Sequence, residues 1–197
     1  MSRTIDYVGV FCGSSPGADP AFAEVSRALG HELAGRGMGL VYGGGRVGLM
    51  GVIADAVLER GGEAHGVITQ ALEAKELAHL GLTSLEVVGA MHERKAAMAE
   101  RSDAFVMMPG GFGTLDEFLE VLTWSQLGIH AKPCGILNTH GFFDPLLEMF
   151  EAASRERFLR IEHRDMLVVD QDPVSLLDRL VSSAPVAVDK WLDRVER

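Results

Sequence analysis

Cysteine, basic charge and long apolar runs are all scarce in this chain of 197 residues, and each scarcity narrows what it does. Its two cysteines, Cys12 and Cys134, stand on separate apolar runs. Two thiols so placed form no spaced framework and read as reduced core residues of a cytoplasmic protein, not as a disulfide scaffold. Lysine and arginine together number 18 against 28 aspartates and glutamates, a formal net charge of −10. That balance argues against a general nucleic-acid binder, which presents a basic face. It leaves room for a small anionic ligand, which needs only a few local donors. No run approaches the roughly 20 apolar residues that span a bilayer. The N-terminus reaches Asp6 before any apolar segment develops, so neither a membrane protein nor a signal peptide is expected. Repeats, low-complexity stretches and metal-ligand spacings are also missing, and neither a metal nor a cofactor is expected.

What the chain has in quantity is glycine, 23 residues, and apolar residues, 47% of the total. Many of the glycines fall where an apolar run ends. Short unbroken runs bounded by Gly or Pro predict buried parallel strands at 7–12, 40–42, 65–68, 85–88, 104–108, 133–137 and 166–169. Helical patterns follow at 20–34, where Asp19-Pro20 reads as N-cap and first helical residue, and at 49–60, 71–80, from 91, 114–127, 143–158 and 173–181. Seven β-α units in one chain of this length predict a single α/β domain over 1–197. The expected architecture is a Rossmann-like, doubly wound, mostly parallel sheet with helices on both faces and ligand loops at the strands' carboxyl ends. Residues 182–197 read as a tail, helical from about 189.

The most informative stretch is Pro109 to Glu117, PGGFGTLDE, between a buried strand and a helix. Glycines there permit positive φ and bare amides, and a helix N-terminus adds unpaired N–H groups and a dipole that favours an anion. A phosphate is the group expected. Thr114 stands where an N-cap belongs. Two readings of Glu117 remain side by side. Thr114-x-x-Glu117 matches a capping box, in which the carboxylate folds back on the helix start; alternatively the carboxylate faces the ligand that the glycines admit.

A second constellation lies in the helix after the fourth strand. Met91, Arg94, Lys95 and Met98 recur at helical spacing, so two cations share one stripe, suited to an anion site or to snorkelling from a partly buried face. Ser14 and Ser15, after the first strand, are candidate phosphate or ribose donors or a self-satisfied turn. Gly43, Gly45 and Gly48 satisfy G-x-G-x-x-G, with Glu63 twenty residues after Gly43. The motif follows the second strand, and Glu63 precedes the next one instead of ending it, so dinucleotide binding is rejected. Gly45 is instead expected to let its loop approach the ligand. Arg46 is either a charge at the site or a solvated side chain, and Trp124 reads as core or interface packing.

Taken together, PGGFGTLDE, Met91-His92-Glu93-Arg94-Lys95 and Tyr42-Gly43-Gly44-Gly45 resemble the LOG family of cytokinin riboside 5'-monophosphate phosphoribohydrolases, whose members were often labelled lysine decarboxylases. The resemblance runs from about Val8 to Leu180. It implies hydrolysis of the N-glycosidic bond of N6-substituted adenosine 5'-monophosphates, or of AMP, without metal or cofactor, by a homodimer. It implies Glu117 and Arg94 as catalytic residues and Lys95, Gly110, Gly111, Phe112, Gly113, Thr114, Leu115 and Asp116 as substrate contacts, which join Ser14 and Gly45, expected at the ligand from the positions of their loops. Glu76 and Thr123 are substrate contacts on the resemblance alone. The rival is a non-catalytic carrier of a phosphorylated cofactor, similar to molybdenum cofactor carriers; a carrier has no use for a carboxylate aimed at a ribose.

Overall fold

The computed structural model describes residues 4–75 and 77–183. Its elements follow in the order β1 (Tyr7–Phe11), α1 (Pro20–Gly35), β2 (Gly39–Tyr42), α2 (Gly48–Glu59), β3 (Ala64–Thr69), α3 (Gln70–Glu73), β4 (Ser84–Val88), α4 (Met91–Arg101) and β5 (Ala104–Met107). Then come α5 (Phe112–Gln126), β6 (Cys134–Leu137), a 3-10 turn (Thr139–Gly141), α6 (Asp144–Arg155), α7 (Ile161–Arg164), β7 (Leu167–Asp170) and α8 (Pro173–Ser182). The helix expected at 189–197 lies outside the described residues.

The seven strands form one sheet in the order β4-β3-β2-β1-β5-β6-β7, every neighbouring pair parallel. The chain therefore winds outward from β1 to β4, crosses back, and winds the other way from β5. At the β1/β5 boundary the two windings diverge, so the loops after these strands leave a crevice between them, where ligands enter doubly wound sheets. The loops are tied at its floor by Gly13 N–H donating to the Pro109 carbonyl at 3.0 Å.

Burial on both faces explains why β1, β2, β5 and β6 read as unbroken apolar runs. One face of the sheet packs on α1, α2 and α8 through Val8, Leu40, Tyr42, Leu29, Ile53 and Leu176. The opposite face packs on α4 and α5 through Phe11, Phe105, Met98 and Phe118. Each such side chain, fully buried, contributes about 1.5–3 kcal/mol. Asp19 caps α1 as expected, its carboxylate accepting from the Ala21 amide at 2.9 Å.

Two expected elements differ. The helix expected at 71–80 is only one turn, Gln70–Glu73. Beyond it the backbone is claimed by the glycine loop after β2: Arg46 N–H donates to Leu77 O and His79 N–H to Gly44 O, each at 2.9 Å. An extended strip that bonds to a neighbouring loop cannot also close helical hydrogen bonds. The helix expected at 143–158 ends at Arg155, and a short α7 that periodicity did not reveal follows it.

Candidate functional site

The site is assembled from the carboxyl ends of β1, β2, β3 and β5 and the first turns of α4 and α5. Helix α5 begins two residues earlier than expected, with Gly111 as N-cap and no side chain capping it. The expectation that Thr114 is the N-cap is therefore corrected: Thr114 is the third helical residue, buried, with its hydroxyl packed back over Gly110. The shift has a chemical consequence. The first-turn amides have no intrahelical acceptor and no side-chain cap, the condition in which a helix N-terminus attracts an anion.

Gly110, Gly111 and Gly113 do not have positive φ, contrary to expectation. Their value is spatial. A side chain at Gly110 would collide with Thr114, whereas Gly111 and Gly113 have no atom within 4 Å of where a side chain would begin. These two face open space that a ligand can use. Positive φ occurs instead at Gly44 and Gly48. At Gly48 the backbone of Ser14 fills the volume a Cβ would occupy, so this glycine locks the β1 and β2 loops together.

The early helix start also settles the geometry of Glu117. It sits in the second turn of α5, past reach of the uncapped amides. The glutamate that folds back on a helix start is Glu93 of α4, whose Oε2 accepts from the Gly89 and Ala90 amides at 2.9 and 3.1 Å. Glu117 turns instead to α4, where Arg94 Nη1 donates to Glu117 Oε1 at 2.5 Å. Both side chains are nearly buried, 7% and 12% exposed. Arg94 is further anchored by Nε donating to Val67 O at 2.9 Å and Nη2 to Gly43 O at 3.4 Å. Burial raises the Glu117 pKa, and the Arg94 guanidinium opposes that rise.

A cavity of about 380 Å³ opens between these groups. Arg94, Glu117, Thr114 and the Gly111–Gly113 turn, with Phe112 standing 92% exposed at its edge, form one side. Ser14 and Gly45 lie on the β1 and β2 side. An adjoining cavity of about 340 Å³, sharing Ser14 and Gly111, is lined by Gly110 and Ser15. Ser15 is partly spoken for, since its hydroxyl accepts from the Gly17 amide at 3.3 Å. Val47, Met50, Ile68, Leu72 and Leu77 make the remaining wall of the larger cavity apolar. Sequence reasoning missed these five; Leu77 reaches the site only through the strip that replaces most of the expected helix, and Leu72 from the single turn that remains. Cys12 also borders the cavity, where burial first, and the Glu117 charge second, push its thiol far above the ordinary range, which disfavours the thiolate.

Other residues singled out in the sequence stand elsewhere. Lys95 pairs with Asp116 at 3.2 Å and Glu120 at 3.1 Å on the outer side of α4 and α5. Leu115 and Trp124 pack on the α4/α5 core. Thr123 donates to Leu119 O at 2.6 Å and borders an apolar groove between α5, α6 and α7. Glu76 lies outside the described residues. Among the described residues no group of three or more His, Cys, Asp or Glu is placed to hold a metal, and no helix is long and apolar enough to cross a membrane.

The family model described as "Possible lysine decarboxylase" matches residues 50–180. A probable cytokinin riboside 5'-monophosphate phosphoribohydrolase of Oryza sativa subsp. japonica, LOGL1, is 50% identical over 159 residues, 81% of this chain and 71% of the relative. The chain belongs to the LOG family. Another member, the cytokinin riboside 5'-monophosphate phosphoribohydrolase of Rhodococcoides fascians, is 48% identical over 166 residues, 84% of each chain. Among solved structures, the molybdenum cofactor binding protein of Rippkaea orientalis matches with TM-score 0.68 at 21% identity, covering 92% of this LOG-family chain and all of that one. The molybdenum cofactor carrier protein of Chlamydomonas reinhardtii matches with TM-score 0.69 at 18% identity, covering 91% and 100%. At such identities these likenesses show the Rossmann-like fold alone.

Proposed function

We propose that this LOG-family chain hydrolyses the N-glycosidic bond of N6-substituted adenosine 5'-monophosphates, and of AMP, releasing the free base and ribose 5-phosphate. The observation that carries the reading is the direction of Glu117: nearly buried, turned away from its own helix start, and held by Arg94 in the wall of the crevice. In the reaction the bond from C1' to the base nitrogen breaks with its electrons going to the base. Positive charge then develops on the ribose, water adds at C1', and a proton passes to the base. The Glu117 carboxylate opposes that charge and accepts a proton from the water, as glycosidase carboxylates do.

The roles of the neighbouring groups follow from position. Amides of Gly111 and Gly113, beside Gly110 and the Thr114 hydroxyl, take the 5'-phosphate at the α5 N-terminus and fix the distance from C1' to Glu117. Ser14 and Gly45 border the ribose, and Arg94 orients the nucleotide while keeping Glu117 ionised against burial. Lys95 contributes a positive field from behind, opposed by the Asp116 carboxylate it pairs with. The apolar wall of Met50, Leu72 and Leu77 supports the base and suits an apolar N6 substituent.

A homodimer in the cytoplasm goes with this reading. Leu119, Leu122, Met149, Phe150, Phe158 and Leu159 form an apolar groove of about 310 Å³, with Met149 and Phe158 exposed, which supports an interface along α5. Two free, buried cysteines suit a reducing compartment. The deciding experiment incubates the protein with AMP and with N6-isopentenyladenosine monophosphate and measures free base by chromatography. Release from either supports a hydrolase; binding of both without release supports the carrier.

A further inference from the structure

We propose that Gly43 is a positioning residue, whose missing side chain is the seat of the Arg94 guanidinium. The role of Arg94 rests on the hydrolase reading above; the seat itself rests on geometry. A Cβ built on Gly43 would overlap Arg94 Nη2, lie 3.2 Å from Arg94 Cζ, and lie 3.4 Å from the Met50 sulfur. The guanidinium is held where that methyl would fall. It is held from the β3 side by Val67 O at 2.9 Å and from the β2 side by Gly43 O at 3.4 Å, while Nη1 spans Glu117 and the Met91 sulfur. A methyl at position 43 would take the place of Nη2, so the planar head group must shift off its two carbonyl anchors toward the cavity it lines. Gly43 is not needed for backbone conformation, since its φ is not among the positive ones and Gly44 provides the left-handed residue of this loop. The first glycine of the loop is thus read as room for an arginine 51 positions later in the chain.

Gly43→Ala should leave Glu117 without its close cation. The charged and titratable groups that remain around Glu117 are Lys95 on α4, Asp116 on its own helix and the Cys12 thiol after β1. The lysine is committed to Asp116 and Glu120, so it does not replace Arg94. Turnover should fall about a hundredfold, the size of loss that follows removal of one preorganised electrostatic group. The acid limb of its pH profile should move upward. The decisive test is a double-mutant cycle with Arg94→Lys, whose ammonium has no second nitrogen to collide with the new methyl. In that background Gly43→Ala should cost less than about threefold. Equal losses in both backgrounds, or a Gly43→Ala enzyme within about threefold of wild type, overturn the proposal. Should Gly43→Ala fail to fold, the Arg94→Lys double variant should regain the thermal transition; if both unfold alike, the seat is disproved. An NMR titration of the Glu117 side-chain carboxyl carbon gives a reading that needs no turnover. An unmoved pKa in Gly43→Ala refutes the seat, whereas a wild type that releases no base refutes only the hydrolase.

Discussion

Arg94 and Lys95 are neighbours on α4, as Asp116 and Glu117 are on α5, yet the ion pairs they form differ in kind. The inner pair is 7% and 12% exposed and is anchored by two backbone carbonyls. In the outer pair Lys95, 14% exposed, reaches Asp116, which is 62% exposed, and shares itself with Glu120, 32% exposed. Helical geometry sends adjacent residues about 100° apart, so one register step separates a crevice wall from a solvated flank. An ion pair with a solvated carboxylate such as Asp116 is worth about 0–1 kcal/mol. Buried, the pair is balanced between Coulomb attraction and desolvation, and losing one partner costs about 3–5 kcal/mol because the other is left uncompensated.

The contrast is best broken at the inner carboxylate. Glu117→Gln should lower turnover by about a thousandfold or more while nucleotide binding, followed by calorimetry, stays within a few fold. Normal base release by this variant ends the inner pair's claim to chemistry. Arg94→Ala should lose about a hundredfold in kcat/KM and keep the far-UV spectrum of the wild type, though with a lower melting temperature from the unpaired carboxyl. Near-normal rates would remove Arg94 from the reaction.

The pH dependence sharpens the same comparison. Burial raises the Glu117 pKa, so activity that needs its carboxylate should appear as pH climbs through a value above the ordinary glutamate range. Stability has the opposite sign. The folded carboxyl holds its proton more tightly than the unfolded one, so its contribution to folding is greatest in acid and is lost as pH rises through that raised value. Glu117→Gln should flatten this part of the stability curve, measured by denaturant midpoints from pH 4 to pH 8.

The outer pair should respond least. Lys95→Ala should reduce kcat/KM by about threefold to tenfold, through weakened field at Glu117 and lost packing. Asp116→Asn should change it by less than about threefold, because the carboxylate is solvated and Lys95 keeps Glu120. A loss at Asp116 matching that at Glu117 would make the two carboxylates equivalent and dissolve the contrast.

Some of this molecule was readable before any coordinates. Asp19-Pro20 announced α1 because a cap and a first-turn proline are local signals, satisfied within three residues. The apolar runs of β1, β2, β5 and β6 declared parallel strands because burial on both faces leaves no polar alternation to confuse them. Thr114-x-x-Glu117 misled for a related reason. A capping pattern is legible locally, but the early start of α5 moved Thr114 to the third helical position, and the folded-back role fell to Glu93. The helix expected at 71–80 failed where residues 77–79 met a loop more than thirty positions earlier in the chain.

Sequence alone determined the succession of β-α units, the glycine turn before α5 and the motifs that mark the family, since all of these depend on residues close together along the chain. Only the tertiary structure decided that Glu117 faces α4, that the Arg94 head group rests over Gly43, and that Met50, Leu72 and Leu77 wall the crevice. The Arg94 contacts among them join positions separated by 23 to 51 residues. Which of two adjacent charges turns inward is set by how the two windings of the sheet bring α4 against α5, and no local spacing encodes it.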